Sequence, residues 1–374
     1  MRRRYCIVIT TISLPTVLES FAQNLQQYAR KDEVEVLVIG DQKTPEEAKE
    51  YVSKFVNQGF RFEYWDVHTQ KRWLGRYPEL DQMIAYNSDN RRNMGYLIAY
   101  ERGCECVIAV DDDNHPTDAD YVGGHAKVGT SQRWKTARSN SGWYNICELL
   151  EIDEDYTIYP RGYPYAYRWL EGEHYELFES EGRIVVNAGL WLGDPDVDAV
   201  TRLHRPISSI GLKEETIILD PSTNCPINSQ NTAFHRDVLP CYYYVVMGQA
   251  IDGLKIDRYG DIWSGYLARK VIDKMDDRVA FGVPLSRHER HPHNLLKDLG
   301  QEYWGMVLTN RLIDLLMQIE LRATNYGDCY AELSHKLEAK VREQKDFSKE
   351  VKSYFSKICR NMRIWVDVCK ELKI

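Results

Sequence analysis

The chain has 374 residues, 43% of them apolar and 28% charged, enough length and apolar content for a large buried core, which excludes a mostly disordered or fibrous protein. Forty-eight Lys and Arg against 56 Asp and Glu leave a formal charge of -8, so a chain whose main task is to neutralise nucleic-acid phosphates is excluded and no nucleic-acid partner is expected. Nine scattered cysteines show no zinc spacing and read as reduced thiols of a cytoplasmic protein, and no run nears the roughly 20 apolar residues of a transmembrane segment, so any membrane contact would be peripheral.

Arg2 to Arg4 ahead of Cys6 imitate the start of a signal peptide, but the apolar stretch is short, contains Thr10 and Thr11 and runs into Pro15. Tyr5 to Ile12 reads instead as a β-branched strand of the kind buried in a parallel sheet, followed by a helix from Pro15 to about Arg30. Val34 to Ile39 repeats the strand pattern and ends in Gly40-Asp41; Pro45 to Phe55 reads as helix and Phe60 to Trp65 as a shorter strand. Met94, Leu97, Ile98 and Glu101 fall at helical spacing within Arg91 to Arg102, which leads into a fourth strand, Cys106 to Val110, ending in three aspartates. Strands alternating with helices predict a doubly wound α/β sheet whose ligands sit beyond the strands' carboxyl ends, where Thr10, Thr11, Asp41 and Asp111 converge.

From Tyr121 to Ile218 the pattern breaks into short strands and aromatic loops, with residues 182–192 the clearest strand, and this part is expected on the acceptor side. Ile262 to Ile272 reads as helix, which places Asp261 at its start as a cap or as an active carboxylate. Beyond Tyr303 the patterns are helical, and Val351, Phe355, Ile358, Met362, Trp365, Cys369 and Leu372 form a heptad seam. The expected organisation is an α/β half over 1–120 with its ligand beyond the strand ends, an acceptor-side half of the same domain over 121–300, and a helical C-terminal extension over 301–374. Between Ala331 and Ile374 eleven Lys and Arg face seven Asp and Glu, and the seam predicts a homo-oligomer through the C-terminal helices, with packing on the chain's own domain as the alternative.

Asp111-Asp112-Asp113-Asn114 carries the clearest chemistry. Adjacent carboxylates repel, and a cation relieves them. If the segment stays extended, Asp111 and Asp113 point to one side and share a hard divalent ion while Asp112 points away. A solvated acidic turn is the alternative. Neither GxxxxGK[ST] nor GxGxxG follows the first strand, so a phosphate would rely on metal and on Lys43, Arg91 and Arg92.

Several segments, in order, resemble the reversibly glycosylated polypeptides and UDP-arabinopyranose mutases: Asp111-Asp112-Asp113, Arg161-Gly-Tyr-Pro-Tyr-Ala-Tyr-Arg168, Gly189-Leu-Trp-Leu-Gly-Asp-Pro-Asp-Val-Asp-Ala199, Arg258-Tyr-Gly-Asp-Ile-Trp-Ser-Gly265, and His288 ahead of Asn294-Leu295. They cover about Tyr5 to Gly300 and leave the helical tail outside; Asn114 and Gly260 depart from the family pattern. The resemblance implies a GT-A-like mixed α/β sheet with a nucleotide-sugar site, most simply for a UDP-sugar. It implies that Thr10, Thr11, Asp41, Lys43, Arg92, Asn93 and Asp112 hold the nucleotide. It further implies that Asp111, Asp113 and His288 hold Mn2+ or Mg2+, that Arg161 or Arg168 is associated with reversible self-glycosylation or neutralises a diphosphate, and that Asp261 serves the acceptor. Three functions compete: a glycosyltransferase with a glycan or lipid-linked sugar acceptor, which is the leading reading; a UDP-sugar pyranose/furanose mutase; and a self-glycosylating scaffold.

Overall fold

The computed structural model describes residues 4–213 and 216–372, with the side chain of Pro284 excepted; Arg2 and Arg3, and the last two residues of the tail, lie outside the described residues. Strands β1 (Tyr5–Thr11), β2 (Val34–Gly40), β3 (Arg61–Trp65) and β4 (Cys106–Asp111) lie parallel in the order β3-β2-β1-β4. The chain between them forms helices α1 (Leu18–Gln27), α2 (Glu47–Asn57), α3 (Val67–Leu74), α4 (Pro78–Met83) and α5 (Arg92–Glu101). In β1 alternate side chains serve opposite layers: Tyr5, Ile7 and Ile9 pack into one core with α1 and α2, Cys6 and Val8 into the other with α5. Burial on both faces is why this strand is apolar at nearly every position.

The second half follows as β5 (Asn114–Pro116), α6 (Tyr121–His125), β6 (Ser131–Ser139), β7 (Leu150–Ile152), β8 (Tyr175–Gly193), α7 (Ala199–His204), β9 (Ser209–Leu212), β10 (Ile217–Leu219) and β11 (Asn231–His235). After a small separate hairpin, β12 (Ala250–Ile251) and β13 (Leu254–Lys255), come α8 (Gly260–Lys274) and β14 (Arg278–His288). Strand β11 runs antiparallel between β4 and β8 and so joins the two halves into one 12-stranded mixed sheet, the GT-A-like α/β arrangement expected. Strand β8 is far longer than its apolar segment suggested. Its exposed first part pairs with β6, and its buried second part pairs with β11 and, in parallel, with β14.

Helices α9 (Leu295–Met317), α10 (Tyr326–Glu343) and α11 (Lys349–Leu372) complete the chain. The heptad stripe of α11 corrects the expectation of an oligomer built through it. All seven of its residues are buried in the same core as α5 and α8. Phe355 stacks on Trp263 of α8 at 5.5 Å, the Trp365 indole N–H donates to the Leu239 carbonyl at 2.8 Å, and the Tyr354 hydroxyl donates to the Val246 carbonyl at 2.8 Å. A stripe covered from within leaves no seam for a second copy. All nine cysteines are free and buried, and among the described residues no helix is long and apolar enough to cross a membrane.

Candidate active site

The carboxyl ends of β1, β2 and β4 open into a cleft of about 510 Å³. The register that pairs Thr10 with Asp111 across β1 and β4 places both at its floor, and Thr11, Asp41, Asp112 and Asp113 line it with them. Arg92, at the first position of α5 and 2% exposed, organises this floor. It donates to the Ser229 carbonyl at 2.9 Å and hydroxyl at 2.6 Å, to the Thr10 hydroxyl at 3.0 Å and to the Asp111 carboxylate. Burial alone would lower its pKa, but Asp111 holds it well above the ordinary arginine range.

The three aspartates do not alternate as an extended strand would. The chain leaves β4 at Asp111 and turns over Asp112 and Asp113 into β5, so all three carboxylates face the cleft, Asp112 included. Asp112 accepts from the Thr11 hydroxyl at 2.5 Å, and burial, together with its two acidic neighbours, raises its pKa. Asp113 Oδ2 lies 3.3 Å from His288 Nε2. His288 reaches it because the end of β14 pairs with β5, aligning His288 with Asn114. The His288 Nδ1–H donates to the Asp194 carbonyl at 2.7 Å, which turns Nε2 towards Asp113. Burial opposes both charges, yet the pair prevails: Asp113 is held below the usual carboxylate range and His288 above the usual imidazole range.

The other wall carries Arg161, ion-paired with Asp196 at 2.9 Å and Asp261 at 3.0 Å. Glycine brings these segments together. Gly162 has φ 87°, and a Cβ on it would fall 2.4 Å from Ile262 Cγ2, so the Arg161 loop touches α8 only because no side chain intervenes. At Gly260 a Cβ would lie 2.7 Å from the Val245 carbonyl, which accounts for the absence of a carboxylate there. Asp261 lies in the first turn of α8 but does not cap it; its carboxylate turns to Arg161.

Three expected site residues do not line this cleft. Lys43 is exposed on the turn after β2. Asn93 is fully buried, donating to the Tyr244 carbonyl at 2.9 Å and accepting from its N–H at 2.8 Å, so it shapes the cleft through Tyr244. Arg168 pairs with buried Asp198 at 2.6 Å and lies over the Tyr165 ring at 3.9 Å, away from the cleft lining. Conversely, Arg202, Arg258 and Arg290 do line it and were not singled out from sequence. Arg258 stood inside a quoted segment; the other two carry no local signal, since a lone arginine is ordinary surface charge until the fold surrounds it. Arg202 pairs with Asp194, Arg258 and Arg290 share Asp298, and Arg258 pairs with Glu302 as well.

For a divalent ion the fit is partial. Among the described residues no three acidic, His or Cys side chains are already grouped as a metal site. Asp113 and His288 nevertheless form a two-residue set of the right chemistry, with the imidazole oriented by a backbone carbonyl as metal-ligating histidines are. Mg2+ and Mn2+ commonly take few protein ligands and complete their shell with water and phosphate oxygens.

A family model described as "Reversibly glycosylated polypeptide" matches residues 3–374, so the match runs through the helical tail that the quoted segments had left outside. The chain is 27% identical over 98% of its length to UDP-arabinopyranose mutase 3 of Arabidopsis thaliana, covering 91% of that protein, and 27% identical over 85% of its length to UDP-arabinopyranose mutase 2 of the same plant, covering 81% of it. Among solved structures, S. aureus TarS 1-349 in complex with UDP-GlcNAc is similar over 98% of this chain and 91% of that one, with a TM-score of 0.45 and 11% identity.

Proposed function

The chain belongs to the reversibly glycosylated polypeptide family, and on that premise we propose that it binds a UDP-sugar in the cleft and interconverts its pyranose and furanose ring forms. The observation that carries this reading is one cavity joining the β1–β4 floor of Thr10, Arg92 and three aspartates to the Arg161–Asp196–Asp261 wall. The floor suits a nucleoside diphosphate and the wall a polyhydroxylated ring. Mutase relatives aligned over nearly the whole chain favour rearrangement over transfer to an external acceptor, which was the leading reading from sequence.

In this proposal the uridine lies along Asp41 and Thr11, and Arg92 fixes Asp111 and Thr10 at the diphosphate. Asp113 and His288 would hold Mn2+ or Mg2+; a bound ion would offset the charge that develops on the departing diphosphate. The carboxylates of Asp196 and Asp261 face the sugar. Nine buried thiols suit a cytoplasmic setting.

The test is to incubate the protein with UDP-arabinopyranose and a divalent ion and follow both ring isomers by chromatography. Appearance of the furanose form without net UDP release supports the mutase. Stoichiometric UDP release that depends on an added glycan would replace it with a glycosyltransferase, and no turnover with any UDP-sugar would refute both.

A further inference from the structure

Among the described residues seven aspartates line the cleft, and all but one are already engaged. Arg92 pairs with Asp111, Arg161 with Asp196 and Asp261, and His288 with Asp113; the Thr11 hydroxyl donates to Asp112, and the N–H groups of Gln42 and Ser88 donate to Asp41. The exception is Asp89, whose carboxylate has neither a hydrogen bond nor an ion pair among the described residues. Its backbone, by contrast, is held firmly. Asp89 opens a single 3-10 turn, Asp89–Arg91, ahead of α5. On one side the Ser88 N–H donates to Asp41 at 3.3 Å; on the other the buried Asn90 amide donates to the Tyr244 carbonyl at 2.7 Å and accepts from the Ala85 N–H at 3.0 Å. Both flanking residues are thus pinned, and the side chain between them is presented to the cavity.

That position decides its protonation. Asp89 is exposed to the cleft rather than to the outer surface, and Asp111 of β4, Arg92 of α5, Tyr244, Asp257 just before α8 and Asp261 in its first turn all lie within electrostatic reach. Enclosure and the acidic neighbours disfavour its charge more than Arg92 favours it, and its pKa is pushed up to about 6. A carboxyl that titrates there is present in both forms near neutrality, as general acid–base work requires. The engaged aspartates lack that freedom: despite burial, His288 and Arg161 hold Asp113 and Asp196 below the usual carboxylate range. Burial raises Asp112 as well, but it already accepts from Thr11, on the turn that carries Asp113.

Exchanging the pyranose and furanose forms of an arabinosyl group moves one proton. The C1–O5 bond breaks, and its electron pair stays on O5, which becomes a hydroxyl; the O4 hydroxyl gives up its proton, and an O4 lone pair forms the C1–O4 bond. Nothing is oxidised or reduced, and the balance is the same whichever group holds C1 meanwhile. O4 and O5 sit on adjacent carbons, so one carboxylate can take the proton from the first and return it to the second. We propose that Asp89 is the proton carrier of the ring rearrangement, taking the proton of the O4 hydroxyl and delivering it to O5. The inference rests on the mutase reading of the cleft and adds to it the group that moves the proton.

The test uses the full chain with UDP-arabinopyranose and a divalent ion, following ring exchange by chromatography across the pH range and UDP binding by calorimetry. In wild type kcat is expected to fall about tenfold per pH unit below about 6, where Asp89 is already protonated and cannot take the O4 proton. Asp89→Asn removes a side chain with no hydrogen-bonding partner, so it is expected to fold and to bind UDP within about twofold of wild type, while kcat drops about a hundredfold or more and the acid limb disappears. Asp89→Glu, which keeps the carboxylate, is expected to be at least about tenfold faster than Asp89→Asn. The proposal is overturned if Asp89→Asn keeps more than about a third of the wild-type kcat, or if Asp89→Glu is no faster than it. A loss confined to UDP affinity also overturns it and makes Asp89 a nucleotide contact. Wild-type protein that binds UDP but exchanges no ring forms overturns the mutase reading, and this inference with it.

Discussion

Replacing Trp365 by Ala tests whether α11 is part of the catalytic core or an assembly element. The Trp365 side chain is fully buried, its indole N–H donates to the Leu239 carbonyl at 2.8 Å, and its ring lies 6.0 Å from that of Tyr243. Truncating a buried Trp costs about 3 to 5 kcal/mol through lost transfer energy and the cavity left behind. The Leu239 carbonyl keeps a bond from the Tyr242 N–H at 3.0 Å, so losing the indole donor adds only about 0.5 to 1.5 kcal/mol. Against a total stability of about 5 to 15 kcal/mol, that is a large fraction. Arg360→Ala on the same helix is the control, because Arg360 and its partner Glu79 keep 60% and 68% of their side chains in solvent and such exposed pairs contribute less than about 1 kcal/mol. Urea unfolding followed by tryptophan fluorescence and far-UV circular dichroism, with coincident transitions, measures both variants; light scattering at micromolar concentration gives the particle mass. We expect Trp365→Ala to lose at least about 3 kcal/mol with its mass unchanged and Arg360→Ala to stay near wild type. A loss below about 1 kcal/mol together with a halved mass would refute the core assignment, since the stripe would then be covering a second copy rather than the chain's own helices.

Chelation is expected to weaken UDP binding about tenfold, roughly 1.4 kcal/mol, with recovery on adding Mn2+, and Asp113→Asn should abolish that metal dependence; affinity indifferent to chelation removes the ion from the site. Arg92→Met should lower UDP affinity and cost at most about 3 kcal/mol of stability, the low end for a broken buried pair, because Asp111 keeps 31% of its side chain in solvent; unfolding and calorimetry read the two effects, and unchanged UDP affinity would sever Arg92 from the nucleotide. His125 is fully buried, accepts from the Asn187 amide at 2.8 Å and contacts Asn231 at 3.1 Å, and burial pushes its pKa down to about 3 from 6.5. The unfolded chain therefore binds a proton below pH 6.5 that the folded chain refuses, so this stabilisation is complete above 6.5 and is lost as pH falls towards 3 at about 1.4 kcal/mol per unit. Denaturant titrations from pH 6 to 4 should show a shallower slope for His125→Gln by that amount, and parallel slopes would place the acid sensitivity elsewhere.

Much of the first half was legible in the amino-acid order because each signal there is local. Strands β1, β2 and β4 are buried on both faces, so they must be apolar almost throughout, and a short break in that pattern marks their ends. The aspartates at 111–113 follow directly from such an end, and the parallel order then requires Thr10, Thr11 and Asp41 to meet them. What depends on distant segments was not legible. The turn at Asp112 that brings a third carboxylate into the cleft, the burial of Arg168 against Asp198, and the convergence of Arg202, Arg258 and Arg290 are set by packing between elements. The identity of a charged residue says nothing about which partner will neutralise it. The α11 stripe shows the same division. Seven apolar residues at heptad spacing determined that one face of the helix must be covered, because water penalises exposing it wherever the cover comes from. Only the tertiary structure decided that the cover is the chain's own helices, α4, α5, α8 and α10, since hydrophobic burial is non-directional and the chain's own core satisfies it as well as a second copy would.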